Sequence, residues 1–305
     1  MGHIAILGVF VADTAYRADR APKMGETILG NSFALGPGGK GSNQAVAAGR
    51  AGGDVHFISK LGRDVFADMA FGIWQDAGVT PAVSQPEGAS TGAAYIFIEE
   101  ATGNNAIIIC PGAAGTISPA DVEAEADRIG SASVFITQLE QPLDAALRAL
   151  QIARAGGATT ILNPAPAAPL TDDFYPLCDY VTPNESEAEA LTGIPVTDIA
   201  SAEAAARAFL AKGVGTALIT LGENGALLGT ADRMTHLPAI SAGPVVETTG
   251  AGDAFNGGFA VGLSEGMAPV DAVRFGAATA GISVTRPGTA PSMPTRAEID
   301  ALLAQ

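Results

Sequence analysis

Short runs of consecutive apolar residues punctuate the chain: Ile4 to Val9, Val55 to Ser59, Val134 to Thr137, Thr159 to Leu162, Tyr180 to Thr182, Ala217 to Leu221 and Ala226 to Gly229. Runs of this length, without polar alternation, predict strands buried on both faces. Between most of them the apolar positions switch to helical spacing. Gln44 to Ala51 follows a glycine-rich turn, and Ser118-Pro119-Ala120-Asp121 offers an N-cap serine, a first-turn proline and an acidic third position for a helix reaching Ile129. Leu143 to Ala155, Glu185 to Leu191 before Gly193, and Ala202 to Lys212 before Gly213 continue the pattern. The tail predicts helices at Ala251 to Glu265 and Pro269 to Ser283, with Thr295-Arg296-Ala297-Glu298 as the capping box of a last one. Strand and helix in alternation predict an α/β fold, a mostly parallel sheet covered by helices on both faces.

Two stretches break this rhythm. Asp13 to Leu35 carries turn residues and a strand around Glu26 to Ala34, while Ala93 to Glu99 and Asn105 to Ile109 read as a hairpin across Ala101-Thr102-Gly103-Asn104. They form either ordinary edge hairpins or one small sheet over a ligand site, a lid made of residues 13–37 and 91–109. With no tandem repeat and no Pro/Gly/Ser-rich linker, residues 1–305 are expected to form a single α/β domain with this inserted flap.

Composition narrows the function. The chain is 48% hydrophobic and only 16% charged, which suits a well-buried core. A net charge of −16 argues against a nucleic-acid partner, because duplex binding relies on Lys and Arg neutralising phosphates. An anionic ligand must then be held by backbone amides, a few cations or a metal. The N-terminus has no basic n-region, and no apolar run is long enough to span a bilayer, so a cytoplasmic enzyme without a membrane partner is expected. Cys110 and Cys178 lack metal-ligand spacing and read as buried reduced thiols, Trp74 as core or helix surface, and His3, His56 and His236 as structural or exposed.

Chemistry concentrates in a few segments. In Thr248-Thr249-Gly250-Ala251-Gly252-Asp253-Ala254-Phe255-Asn256-Gly257-Gly258, a turn of small residues enters a helix. Such a turn lets an anion sit on free amides, and Asp253 is placed to take a proton from an attacking hydroxyl, unless it is only a cap. Gly36-Pro37-Gly38-Gly39-Lys40-Gly41 matches the dinucleotide fingerprint G-x-G-x-x-G, but it does not directly follow the first strand and no acidic residue closes a second strand about twenty positions on. It is not a Walker A loop either, since Gly41 follows Lys40. With Asn43 close by, the turn suits a polyhydroxylated ligand. Glu140, Asn184 and Glu187 stand at the carboxyl ends of predicted strands, the rim where open α/β sheets bind ligands. Asn184 and Glu187 are one helical turn apart, which serves a metal-bound phosphate, a capping box, or both. The turn Leu221-Gly222-Glu223-Asn224-Gly225 is a weak signal alone, and the loop Val284 to Ser292 is rich enough in carbonyls and hydroxyls to ligate a monovalent cation.

The strings Gly38-Gly39-Lys40-Gly41-Ser42-Asn43-Gln44-Ala45-Val46-Ala47-Ala48 and Thr249-Gly250-Ala251-Gly252-Asp253-Ala254-Phe255-Asn256-Gly257 closely resemble the two signatures of the ribokinase (PfkB-type) carbohydrate kinases. The likeness runs on in order through Ser90-Thr91-Gly92, Gln138-Leu139-Glu140, Asn163-Pro164-Ala165-Pro166, Thr182-Pro183-Asn184-Glu185 and Ile219-Thr220-Leu221-Gly222, and so covers nearly the whole chain. The resemblance implies a three-layer α/β/α fold with a Rossmann-like sheet and a β lid that also dimerises. It implies an ATP-dependent kinase acting on the primary 5-hydroxyl of ribose, or on another sugar or a nucleoside. Asp253 would be the base, and the Gly250, Ala251 and Gly252 amides the anion hole. Asp13, Gly39, Lys40, Asn43 and Glu140 would hold the sugar. Asn184 and Glu187 would serve phosphates and Mg²⁺, while Thr220, Gly222, Gly225 and Gly252 would line the nucleotide site. Glu247, Thr249, Ser283, Arg286, Gly288 and Ser292 would match a K⁺ site.

The chain departs from the family pattern at four places: Val11 where Asn usually precedes the sugar-binding Asp, Glu247 for Asp in the cation site, Ala114 for Asn, and Ala67 for Gly. Val11 removes a donor and an acceptor beside the sugar, and an unpaired buried hydroxyl costs on the order of 1–3 kcal/mol, enough to shift preference between sugars. Two other classes compete. A dinucleotide oxidoreductase lacks its fingerprint context, and a non-catalytic sugar-binding protein predicts a lost base where Asp253 is present.

Overall fold

The structure is a computed structural model describing residues 2–305. Its strands are β1 (Ile4–Leu7), β2 (Val11–Ala18), β3 (Ser32–Gly38), β4 (Val55–Lys60), β5 (Val79–Ser84), β6 (Gly92–Glu99), β7 (Asn105–Cys110), β8 (Val134–Thr137), β9 (Thr159–Leu162), β10 (Tyr180–Val181), β11 (Thr216–Thr220), β12 (Ala226–Gly229) and β13 (Met234–Leu237). The helices are α1 (Lys40–Arg50), α2 (Val65–Asp76), α3 (Pro119–Ala124), α4 (Ala126–Gly130), α5 (Leu143–Gly156), α6 (Glu185–Thr192), α7 (Ile199–Ala211), α8 (Ala251–Ser264), α9 (Pro269–Ser283) and α10 (Arg296–Leu303).

Nine strands form one sheet in the order β13-β12-β11-β10-β9-β8-β1-β4-β5, parallel from β11 to β5 with an antiparallel edge at β12 and β13. The alternation of a strand sends its residues to opposite faces, and β1 does so cleanly. Ile4 and Ile6 join the core under α1, α2, α8, α9 and α10, whereas Ala5 and Leu7 join the core under α3 to α7. Because β1 pairs with β4 on one side and β8 on the other, the strand order reverses at β1, and the crevice beyond its carboxyl end is the expected ligand position. A second sheet, β3-β2-β6-β7, stands over that crevice. In it β2 runs parallel to β6, and β3 and β7 are antiparallel edges.

Several sequence expectations are corrected. No strand spans Glu26 to Gly30; Val11–Ala18 and Ser32–Gly38 pair with each other, and the first pairs on its other edge with β6 far along the chain. The helix expected from Ser118 to Ile129 breaks at Glu125 (φ −107°, ψ 15°) into α3 and α4, although the Ser118–Asp121 capping box is present. Helix α1 begins at Lys40, so the glycine turn is shorter than expected, and α7 begins at Ile199, capped by Asp198. Helix α2 and strands β5 and β13 were not anticipated: β5 carries Pro81 on an edge, and β13 is only four residues with polar positions. Cys110 is exposed, not buried, because the whole of β7 lies open on the small sheet; Cys178 is buried. Trp74 is fully buried, and its indole N–H donates to Ser42 Oγ at 2.9 Å.

Candidate active site

Three close approaches build the site. Gly39 adopts φ 90°, a left-handed value that suits glycine, and a Cβ there would sit 2.4 Å from the Val9 carbonyl. Neighbouring Gly38 lies under the Asp13 carboxylate, with room for no side chain at all. At Gly257 a Cβ would meet Ala47 Cβ at 2.6 Å and the Gln44 carbonyl at 2.8 Å, so α1 and α8 touch backbone to backbone. That contact brings residues more than two hundred positions apart within hydrogen-bond range.

Asp253 sits there, buried in the first turn of α8. Its two oxygens each accept one amide proton: Asn43 Nδ2 donates to Oδ2 at 3.0 Å and Gln44 Nε2 to Oδ1 at 3.1 Å. Burial raises the Asp253 pKa above the ordinary carboxylate value, while the Lys40 ammonium and these two amides oppose the rise. Glu140 accepts the Lys40 backbone N–H at 2.7 Å, and desolvation carries its pKa from 4.5 to about 7. Desolvation likewise takes Asp13 to about 6. Asp13, Lys40, Asn43, Glu140 and Asp253 therefore share one partly dry pocket below the small sheet, a cluster of carboxylates around a single ammonium.

Helix α8 opens with Gly250 in the left-handed conformation (φ 81°) and no side-chain cap. A Cβ on Gly252 would touch nothing within 4 Å, so this turn faces open space. The Ala251 N–H is already donated to the Thr248 carbonyl at 3.1 Å, closing the turn, which removes Ala251 from the expected cradle. The donors left without an acceptor among the described residues are the backbone N–H groups of Gly250, Gly252 and Asp253.

Asn184 and Glu187 do form a capping box: Glu187 Oε2 accepts the Asn184 N–H at 2.9 Å and Asn184 Oδ1 accepts the Glu187 N–H at 2.8 Å. Glu187 is buried, its pKa raised by desolvation with Lys40 acting against the rise, so it feels the same ammonium as Asp253. Thr220 donates its N–H to the Pro183 carbonyl at 2.9 Å, placing β11 beside this segment, and a Cβ on the following Gly222 would touch only Glu185 Oε1, at 3.9 Å. Gly225 is different: a Cβ there would meet the Leu237 carbonyl at 2.1 Å, so its α-carbon packs against the end of β13 and only glycine fits.

The loop after α9 is stapled to the one before α8. Glu247 Oε2 accepts the Gly288 N–H at 2.8 Å, and the Val284 carbonyl accepts from Val246 and Glu247. Ser283 and Ser292 hydroxyls donate to local carbonyls, Ala280 and Thr289, and the Arg286 guanidinium turns outward to Glu298 at 2.5 Å. Thr289 stacks against Gly250 and donates to the Pro37 carbonyl at 2.8 Å, so this loop joins the anion turn to the small sheet. No group of three His, Cys, Asp or Glu is placed to hold a metal among the described residues, which leaves carbonyls, hydroxyls and single carboxylates as cation ligands. An open cleft of about 500 Å³ at the opposite end of β9 and β10 contains the Arg154–Asp179 ion pair and none of this chemistry.

Sequence reasoning quoted Gln44, Asn163, Thr182 and Asn256 without giving them roles, yet all four are buried around Asp253. Their signal was a set of amides and a hydroxyl at strand and helix ends inside apolar surroundings.

Known proteins resemble this chain in sequence and fold. Residues 1–296 match the pfkB family carbohydrate kinases. A ribokinase of Haemophilus influenzae is 38% identical over 296 residues, covering 97% of this chain and 96% of its own. A deoxyribokinase of Salmonella typhi is 37% identical over 294 residues, covering 96% and 95%. The structure of Arabidopsis thaliana ribokinase complexed with ribose and ATP superposes with a TM-score of 0.93 at 30% identity, covering 100% of this chain and 99% of that one. With both glycine segments and the buried aspartate lying together as one pocket, and the match spanning nearly the full length, the chain belongs to the pfkB family of carbohydrate kinases.

Proposed function

We propose that the protein transfers the γ-phosphoryl group of ATP to the primary 5-hydroxyl of D-ribose. The observation that carries this reading is Asp253: a buried carboxylate at the open N-terminus of α8, oriented by two amides and facing Lys40 and Glu140. Relatives bearing the same activity, and one seen with ribose and ATP, support it.

In the proposed reaction the sugar lies between β2 and α1, its hydroxyls held by Asp13, Gly39, Lys40, Asn43 and Glu140. Asp253 takes the proton of the 5-hydroxyl as the oxygen attacks the γ-phosphorus. A pKa raised by burial brings this base nearer neutral pH, where general-base transfer is most effective, and the two amide donors keep it ionised. The N–H groups of Gly250 and Gly252, with that of Asp253, receive the charge growing on the equatorial phosphoryl oxygens; one such donor is typically worth about a hundredfold or more in rate. Catalysis is thus positioning plus charge stabilisation.

Glu187 fits a Mg²⁺ role: it is a buried carboxylate with one oxygen committed to the Asn184 N–H and the other available to a metal-bound water, and Mg²⁺ is commonly held by one or two carboxylates plus substrate phosphates. When bound, the ion neutralises phosphate charge. The nucleotide would rest against Thr220 and Gly222. The stapled loop with Glu247, Thr249, Ser283, Arg286, Gly288 and Ser292 would hold K⁺ through carbonyls and a carboxylate, and its Thr289 contact would transmit the ion's presence to Gly250. The small sheet, built from residues 13–37 and 91–109, would act as a lid over the sugar. Its exposed Tyr16, Phe33, Leu35, Tyr95 and Ile108 share one face and form an apolar surface suited to a homodimer through that lid.

A second reading, 2-deoxyribose as the better substrate, is favoured by Val11. It shares the β2 face with Asp13 and offers carbon where a hydroxyl would need a partner. Deoxyribokinase relatives at 37% identity agree with it.

One experiment tests both. ATP consumption is measured over ribose, deoxyribose, fructose, 2-keto-3-deoxygluconate and nucleosides, with and without K⁺, for the wild type and Asp253→Asn. Ribose should give the highest kcat/KM, deoxyribose marking the second reading, and Asp253→Asn should retain sugar binding while losing at least about a hundredfold in turnover. Near-normal turnover in that variant, or no turnover of any sugar by folded wild type, refutes the kinase mechanism.

A further inference from the structure

Gln44 is fully buried on α1, and each of its amide groups is spoken for. Its Oε1 accepts from Gln138 Nε2 at 2.6 Å, which forces its NH₂ to the other side. That NH₂ donates to Asp253 Oδ1 at 3.1 Å and to Asn163 Oδ1 at 3.0 Å. Asn163, just past β9, donates to the Thr182 carbonyl at 3.0 Å; the Thr182 hydroxyl donates to Asn256 Oδ1 at 2.7 Å; Asn256 Nδ2 donates to the Gly252 carbonyl at 2.8 Å. The circuit leaves the carboxylate, runs along the carboxyl ends of β8, β9 and β10, and returns to the same helical turn one residue before it. A core built only for stability has no use for so many buried amides, because each must be paired or it costs more than a hydrocarbon of the same shape.

We propose that Gln44 is a positioning residue for the phosphoryl transfer: relayed from Gln138, its amide holds Asp253 in the orientation that accepts the sugar proton and holds the carboxylate ionised. This rests on Asp253 being the base. Asn43 donates to the other oxygen but its own Oδ1 has no partner, so its amide is held at one end, whereas the Gln44 amide is held at both. Removing its donor leaves Oδ1 buried without a proton to accept. The charged groups that also bear on Asp253 are Lys40 on α1, which favours the ionised form, and Glu140 beyond β8 and Glu187 on α6, which oppose it; Asp13 on β2 acts one step removed, through Glu140. None of these is altered by changing Gln44 to a neutral residue.

The test uses Gln44→Met, Gln138→Met and Asp253→Asn in the full chain, reading kcat and KM for ribose across pH 5 to 9. Gln44→Met should lower kcat at neutral pH about tenfold or more with sugar KM little changed, and move the acid limb of the kcat profile upward by on the order of one pH unit. Gln138→Met, which only releases the far end of the Gln44 amide, should move the limb the same way by less. If Asp253→Asn is inactive while both methionine variants keep the wild-type limb, losing only melting temperature, Gln44 is core filling and the inference falls. Should Gln44→Met fail to fold, Gln138→Met alone decides, an unmoved limb overturning the proposal. If Asp253→Asn itself turns over normally, the base assignment falls first and takes this one with it.

Discussion

Replacing Glu140 by Gln should make the protein more stable at neutral pH and a worse enzyme. Glu140 lies in the crevice with its carboxylate against the Lys40 N–H, and burial carries its pKa from 4.5 to about 7. A folded-state pKa above the unfolded one means that the native protein binds the proton more tightly, so this group's contribution to stability is fully present below about pH 4.5 and is lost as pH rises through 7, where the unfolded chain has ionised and the native one resists. The displacement corresponds to roughly 3 kcal/mol as an upper bound. Glu140 keeps some solvent contact, which screens the penalty, so about 1–2 kcal/mol is the expected gain for Glu140→Gln at pH 7.5. The glutamine carbonyl still accepts the Lys40 N–H, so no partner is orphaned. Urea unfolding of the sugar-free protein at pH 4.5, 6 and 7.5 measures this: the wild-type midpoint should drop across the series more than the variant's, with equal slopes m. In parallel the variant's KM for ribose should rise. A variant less stable than wild type at pH 7.5, or one with the same pH dependence, would refute the claim that this carboxylate is held at the expense of the fold.

Two further outcomes are expected. Gly257→Ala forces a Cβ within 2.6 Å of Ala47 Cβ and 2.8 Å of the Gln44 carbonyl, so α1 must move off α8; stability should fall by about 1–3 kcal/mol and kcat should fall with it, because the same shift separates Gln44 from Asp253. Ile108→Glu places a charge in the exposed apolar face of β7; sedimentation should show dimers for the wild type and monomers for the variant, with the far-UV spectrum unchanged, and persistent dimers of the variant would place the contact elsewhere.

Much of the scaffold was legible because its signals are local. The buried strands β1, β8, β9 and β12 announce themselves as unbroken apolar runs, and the capping boxes at Ser118, Asn184 and Thr295 mark helix starts from three or four residues each. The strands of the small sheet were harder. Val11–Ala18 and Ser32–Gly38 have weak patterns of their own; the first is held by pairing with β6, some eighty residues away, and the second by pairing with the first. The residues of the site divide in the same way. Asp253 and Lys40 stand out against small-residue backgrounds, whereas Gln44 looks like one polar residue in an alanine-rich helix until Gln138 and Asn163 are seen on either side of it.

Residue order alone specified the α/β alternation, the glycine turns and the identity of the charged groups, since backbone propensity, capping and hydrophobic period act over a few neighbours. Which donor meets which acceptor was settled in three dimensions. The Ala251 amide turns inward to Thr248, Gly225 packs against Leu237, and the Gln44 amide reaches Asp253 because Gly257 lets two helices approach more closely than any side chain would allow. Such contacts join positions separated by as many as about two hundred and ten residues, and their geometry depends on the packing of the whole core, which no short window of sequence contains.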